Sequence, residues 1–143
     1  MTLASSDLKR YTDAQQTSYS TALAEIRSGR KRSHWMWYIF PQIHGLGVTS
    51  TSQYYAIKNL QEARDFLSDP YLGSNLIEIS TALLDLDTNN ASAVFGFPDD
   101  LKLRSSMTLF AQVSDFDVFQ KVLDKYFDGK PDERTLDIIA GEE

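Results

Sequence analysis

The stretch "DPYLGSNLIEISTALLDL", Asp69 to Leu86, decides the fold. Asp69 is a helix cap by residue type, and Pro70 suits the first helical position, where its missing N–H costs nothing. Leu72, Leu76, Ile79, Leu83 and Leu86 then recur at the spacing of one helical face. The same period runs outward in both directions. Upstream, Tyr19, Ala22, Leu23 and Ile26 mark a helix from Thr17 that Gly29 stops, and Ser6 is the expected cap of a preceding helix carrying Leu8 and Tyr11. Asn59 and Glu62 have the spacing of a capping box ahead of Leu60, Ala63 and Leu67. Downstream, Asn90 opens a short helix ending at Gly96, and Pro98-Asp99-Asp100 opens another through Leu103, Met107 and Phe110. Phe119, Val122, Leu123 and Tyr126 carry the next as far as Gly129, and Pro131-Asp132 opens the last. Strand-type alternation is nearly absent. The reading is an all-α, compact, multihelical single domain over residues 1–143, with about seven or eight helices and short loops.

The chain of 143 residues is long enough to bury its own core. It has no cysteine, which excludes disulfides, thiolate chemistry and Cys-type zinc sites. With two histidines, His34 and His44, no metal site is expected, and no cofactor. No apolar run reaches the roughly 20 residues of a membrane span, and the first residues lack a signal-peptide pattern, so a cytoplasmic protein is expected. The net charge of −6 is uneven: residues 1–44 carry +3 and residues 45–143 carry −9. An acidic whole makes long nucleic acid an unlikely partner, whereas a local basic patch suits a small anion.

Two segments stand out against the helical pattern. The first is "GRKRSHWMWYIFPQ", Gly29 to Gln42, which holds both tryptophans and a cluster of basic residues. Ser33 is placed to cap a short helix from His34 that must end before Pro41. Lys31, Arg32 and Ser33 at such a helix start would form an anion site. His34 is the candidate general acid–base group, because imidazole ordinarily titrates near neutral pH. Trp35 or Trp37 would stack on a flat ligand, with Gln42 beside them, although aromatic residues in such a run more often form core. The second segment is "FPDDLKLRSSMTLF", Phe97 to Phe110. Asp99 and Asp100 suit a first helical turn, and are the candidates for orienting His34 or activating water. Lys102, Arg104, Ser105, Ser106 and Thr108 are ligand-binding candidates or structural hydrogen-bond formers, with Arg104 either paired to Asp100 at i, i+4 or acting as an anion clamp. His44, alone in a loop, carries no functional expectation. The pairs Asp85/Asp87 and Asp115/Asp117 read as caps and surface charge.

These segments, "SGRKRSHWMWYIFPQIHGLG" and "GFPDDLKLRSSMTLF", resemble the marker motifs of domain-of-unknown-function family 1810, sometimes mislabelled calpastatin. The resemblance continues through "YAIKNLQEARDFLSDPYLG" and "FDGKPDERTLDII", nearly the whole chain. Tyr38 stands where the family usually has Phe, and Phe97 where it usually has Ser; neither change removes a titratable group. The family implies an all-α fold and no established function. Its "KL…MTLF" helix, followed by an aromatic-rich helix, is faintly similar to the NADAR group of ADP-ribose-linked proteins. The leading expectation is binding or hydrolysis of a phosphate-bearing, ADP-ribose-like molecule in a basic and aromatic pocket. The alternatives are a protein-interaction module or homodimer built on the Trp/Arg-rich segment and, third, RNA or single-stranded nucleic-acid binding.

Overall fold

In a computed structural model, which describes residues 8–142, the chain runs through nine helical segments. They are α1 (Lys9–Arg27), α2 (Met36–Ile39), α3 (Ser50–Tyr54), α4 (Leu60–Ser68), α5 (Pro70–Leu84), α6 (Ala91–Phe95), α7 (Asp99–Val113), α8 (Val118–Phe127) and α9 (Glu133–Ala140). No strand occurs among the described residues; a single bridge joins Ile43 to Ile57. The segments exceed the seven or eight expected, and the five-residue α3 is the one the sequence did not announce. The two helices expected on either side of Thr17 are one continuous α1, and Ser6 lies outside the described residues.

Side-chain caps set many of the boundaries. Asp69 accepts from the amides of Tyr71 and Leu72, Asn90 from Ala93, and Asp132 from Thr135. Asn59 caps α4 by accepting from the Glu62 amide, while the Glu62 carboxylate reaches the Lys58 amide instead of closing a box on Asn59. Thr49 caps α3, which has no apolar face to announce it in sequence. Asp128 adopts the left-handed conformation at the end of α8, just before Gly129.

The core is centred on α5, α7 and α8, with α1 and α4 packed against them. Leu72, Leu76, Ile79 and Leu83 of α5 are all buried, as are Leu103, Met107 and Phe110 of α7. An aromatic row crosses the domain from α1 to α8. Tyr11 meets Phe66 edge-on at 5.1 Å, Phe66 meets Phe110 at 5.4 Å, and Phe110 meets Phe119 at 5.9 Å. Each such pair adds about 1 kcal/mol beyond the area it buries. Lys125 binds the carbonyl oxygens of Leu83, Leu84 and Leu86, satisfying the end of α5.

The tight Asp69-Pro70 corner between α4 and α5 dictates one glycine. A Cβ on Gly73 would lie 2.0 Å from the Leu67 carbonyl oxygen, a backbone atom that cannot swing away. Gly73→Ala is therefore expected to destabilise the fold by about 3 kcal/mol, at the upper end for overpacking. Urea denaturation checks this; an unchanged midpoint would mean that α4 and α5 do not approach so closely.

Candidate functional site

The first motif does build an anion-binding nest, and the protein's own Glu25 fills it. Glu25 sits in the last turn of α1, after which Gly29, at φ +88°, turns the chain back over it. Its carboxylate accepts from the amides of Arg32 at 2.7 Å and Ser33 at 2.9 Å, the Ser33 hydroxyl at 2.5 Å, and Trp35 Nε1 at 3.0 Å. Burial alone would raise the Glu25 pKa, but these four donors outweigh it and hold the carboxyl at about 2. Ser33 consequently does not cap α2, which starts at Met36, two residues later than expected, without a side-chain cap.

This arrangement reassigns much of the first motif. Trp35 is 1% exposed, so no ligand stacks on it. Arg32 and His34 are exposed and lie outside the clefts described here; the Arg32 guanidinium makes a long 3.4 Å contact with Ser28 Oγ. Lys31 is largely enclosed, bonded to the Ser33 carbonyl and paired with Asp99 Oδ2 at 2.9 Å. Trp37 and Gln42, in contrast, both line a cleft.

The two motifs meet through Asp99. It takes Lys31 on one side and Lys102, at 3.4 Å, on the other, so one acid is shared by a lysine from each motif. Lys102 also stands over the Trp37 ring, 5.5 Å from its centroid. Asp99 is thus bound to cations rather than to His34. Asp100 bonds the amide of its neighbour Leu101 and lines a separate shallow depression beside Tyr126. The expected catalytic grouping of His34, Asp99 and Asp100 does not form, because the three side chains serve different surroundings.

The polar insert of α7 divides between structure and site. Arg104 neither pairs with Asp100 nor stands free; it donates to the carbonyls of Lys130 and Pro131, each at 2.9 Å. Thr108 is fully buried, and its hydroxyl accepts from the Asp132 amide. Ser105 donates to Asp132 Oδ2 at 3.2 Å. Ser106 is buried with its hydroxyl unpartnered. The insert therefore docks the loop that starts α9, and only Lys102, Arg104 and Ser105 also face a cleft.

That cleft, of about 550 Å³, lies between the segment from Gln42 to Ser52 at the start of α3, Pro98 with the first turns of α7 to Ser105, and Asp132 and Arg134 at the start of α9. Lys102, Arg104 and Arg134 outnumber the one acid, Asp132. Asp132 is occupied by Ser105 and by the Thr135 amide and hydroxyl. Arg134 is exposed, and its side chain makes no hydrogen bond or ion pair with any described residue. Sequence reasoning misses Arg134, although a cation in the first turn of a helix opposes the helix dipole and so signals another use. A smaller pocket of about 90 Å³ adjoins the cleft and shares Gln42, Gly47 and Ser52 with it. Trp37, His44 and Tyr55 are also part of its wall. His44 and Tyr55 are the other site residues missed; a lone loop histidine carries no signal until α3 is known to face it. Among the described residues no group of three or more His, Asp or Glu side chains is disposed to hold a metal ion. No helix there is long and apolar enough to cross a membrane.

An all-α domain with a cationic cleft along the start of its second distinctive segment, reached by the first only through Gln42, is the class this geometry defines. The chain belongs to the protein family of unknown function DUF1810, whose model matches residues 5–139. It is similar to the conserved hypothetical protein Rv1873 from Mycobacterium tuberculosis, known from a crystal structure at 1.38 Å. The two share 43% identity and superpose with a TM-score of 0.92, over 94% of this chain and 96% of that one. No curated protein matches the chain.

Proposed function

We propose that the cleft binds a small phosphate-bearing molecule of the nucleotide or ADP-ribose class. The carrying observation is the convergence of Lys102, Arg104 and Arg134 on one concave surface beside Trp37 and Gln42 of the other motif. Arg134, with no partner of its own among the described residues, is the natural phosphate ligand. Lys102 adds a second cation over an aromatic face. The volume suits a ligand of this size. A hydrolytic activity on such a molecule would draw on His44, whose imidazole lines the small pocket beside the cleft, rather than on His34. A cysteine-free chain suits the cytoplasm, where such metabolites occur.

A second reading, a protein or homodimer interface, draws on Val48, Phe97 and Leu101, which are 87%, 78% and 48% exposed at or beside the mouth of the cleft. The two readings separate in a thermal-shift series with ADP-ribose, AMP and inorganic phosphate. A ligand at 100 times its dissociation constant adds about 2.7 kcal/mol of stability. The expected result is a rise in Tm with ADP-ribose that disappears in Arg134→Ala and Lys102→Ala and persists in His34→Ala. No rise with any of the three, from protein that is folded, would reject nucleotide binding and favour the interface.

A further inference from the structure

The lining of the 550 Å³ cleft is of two kinds. Lys102, Arg104 and Arg134 make it cationic. Leu46 and Val48 from the segment before α3, with Pro98 and Leu101 at the start of α7, give it an aliphatic surface as well. Val48, Leu101 and Phe97, the neighbour of Pro98, are three of the six large apolar side chains that stand exposed among the described residues. Exposed apolar surface is thus gathered at this cleft rather than scattered, which marks a place where a ligand is met. Such surface is unfavourable in water and gains by covering the apolar face of a partner. The turn that carries Leu46 and Val48 is held close to α3, since a Cβ on Gly47 would lie 2.4 Å from Ser52 Oγ.

Polar groups accompany the aliphatic ones. Gln42, Thr49 and Ser52 line the same cleft, and the Gln42 side chain makes no hydrogen bond with any described residue. A hydrocarbon chain would leave that amide unmatched. A nucleobase has apolar faces and hydrogen-bonding edges, and apolar side chains grip bases in this way. Charge limits the other end of the ligand. Three cations and one acid, Asp132, line the cleft, an excess of two (three minus one). A phosphate monoester carries about −1.5 to −2 near neutral pH, which matches that excess, and a triphosphate goes beyond it. Lys102 is free to turn to the phosphate: its contact with Asp99 is loose, at 3.4 Å, while Asp99 keeps Lys31 at 2.9 Å. The volume lies in the range of small-molecule sites and is far more than one phosphate group fills.

Resting on the phosphate reading above, we infer that the cleft takes a nucleoside monophosphate, with its base against Val48 and Leu101, an edge of the base at Gln42, and its phosphate on Lys102 and Arg134. The test is calorimetric titration with AMP and with ribose 5-phosphate, which lacks the base. AMP is expected to bind about tenfold tighter. In Val48→Ala/Leu101→Ala that ratio should fall to about two. Both side chains are exposed, and alanine at position 101 is a good helix former, so this variant keeps the fold. Arg134→Ala should weaken both probes by a similar factor and leave the ratio near its wild-type value. ATP without magnesium should gain less than about tenfold on AMP. Equal binding of AMP and ribose 5-phosphate by the wild type, or an undiminished ratio in the double variant, overturns the base assignment and leaves the phosphate reading standing. A larger gain by ATP overturns the limit to one phosphate. Binding of none of these probes, nor of ADP-ribose, removes both readings.

Discussion

Arg10→Ala is expected to destabilise the domain by about 4 kcal/mol, because it leaves a buried carboxylate without its cation. The Arg10 and Glu62 side chains are 3% and 2% exposed and meet at 2.9 Å. Arg10 also donates to the carbonyls of Tyr54 and Ala56 and to the Tyr11 hydroxyl. Glu62 Oε1 accepts from the Lys58 amide as well, so the pair ties α1 to the start of α4. The loss arises mostly from the stranded charge rather than from the pair's net attraction, since burying two charges costs nearly as much as their pairing returns. Arg10→Met/Glu62→Met should therefore be more stable than Arg10→Met alone, though below wild type, because two carbonyls and an amide lose their partners. Urea denaturation of wild type, Arg10→Met, Glu62→Met and the double variant measures this coupling. Equal stability of the single and double variants would mean that the charge of Glu62 is not buried as the structure has it.

Removing the carboxylate from the anion nest is the second large effect. Glu25→Ala strands two backbone amides and the Trp35 indole N–H, and the expected loss is about 4 kcal/mol at 1–3 kcal/mol per unmatched buried donor. Glu25→Gln should lose much less, since its amide oxygen can keep the three bonds that Oε1 accepts. The two variants separate lost shape and acceptor from lost charge. The nest also predicts a pH dependence. The folded-state pKa of about 2 lies below the ordinary 4.5, so the stabilisation is complete above pH 4.5 and lost as pH falls towards 2. Stability followed between pH 6 and pH 2 should fall less steeply in Glu25→Gln than in wild type. Parallel curves would contradict the assignment.

The helices were legible where a cap and an apolar period coincide. Asp69-Pro70 with the leucine row of α5, Asn90 before α6, and Pro131-Asp132 before α9 all act as their residue types suggest. α3 escapes because a five-residue helix with no buried face has no period to read. The site was half legible. The stretch "KRSHW" does gather donors on an anion, but they are the Arg32 and Ser33 amides, the Ser33 hydroxyl and the Trp35 indole rather than the cationic side chains expected, and that the anion is Glu25 depends on how Gly29 turns the chain back on α1, a tertiary fact. The same holds for Arg104, whose partners Lys130 and Pro131 are 26 and 27 residues away and not the Asp100 one helical turn before it. Trp35 and Trp37 look equivalent in sequence; two residues of separation on a short helical turn put one in the core and the other on the cleft. His44, set aside as a lone loop histidine, lines the pocket, while His34, the more suggestive by its neighbours, faces solvent.

The proposed ligand site joins Lys102 and Arg134 to Trp37 and Gln42. A crystal structure of the protein soaked with ADP-ribose tests it most directly. The phosphates are expected against Lys102 and Arg134, beside Trp37 and Gln42. ADP-ribose bound instead over Arg30, Arg32 and His34, with the cleft holding only solvent, would contradict it.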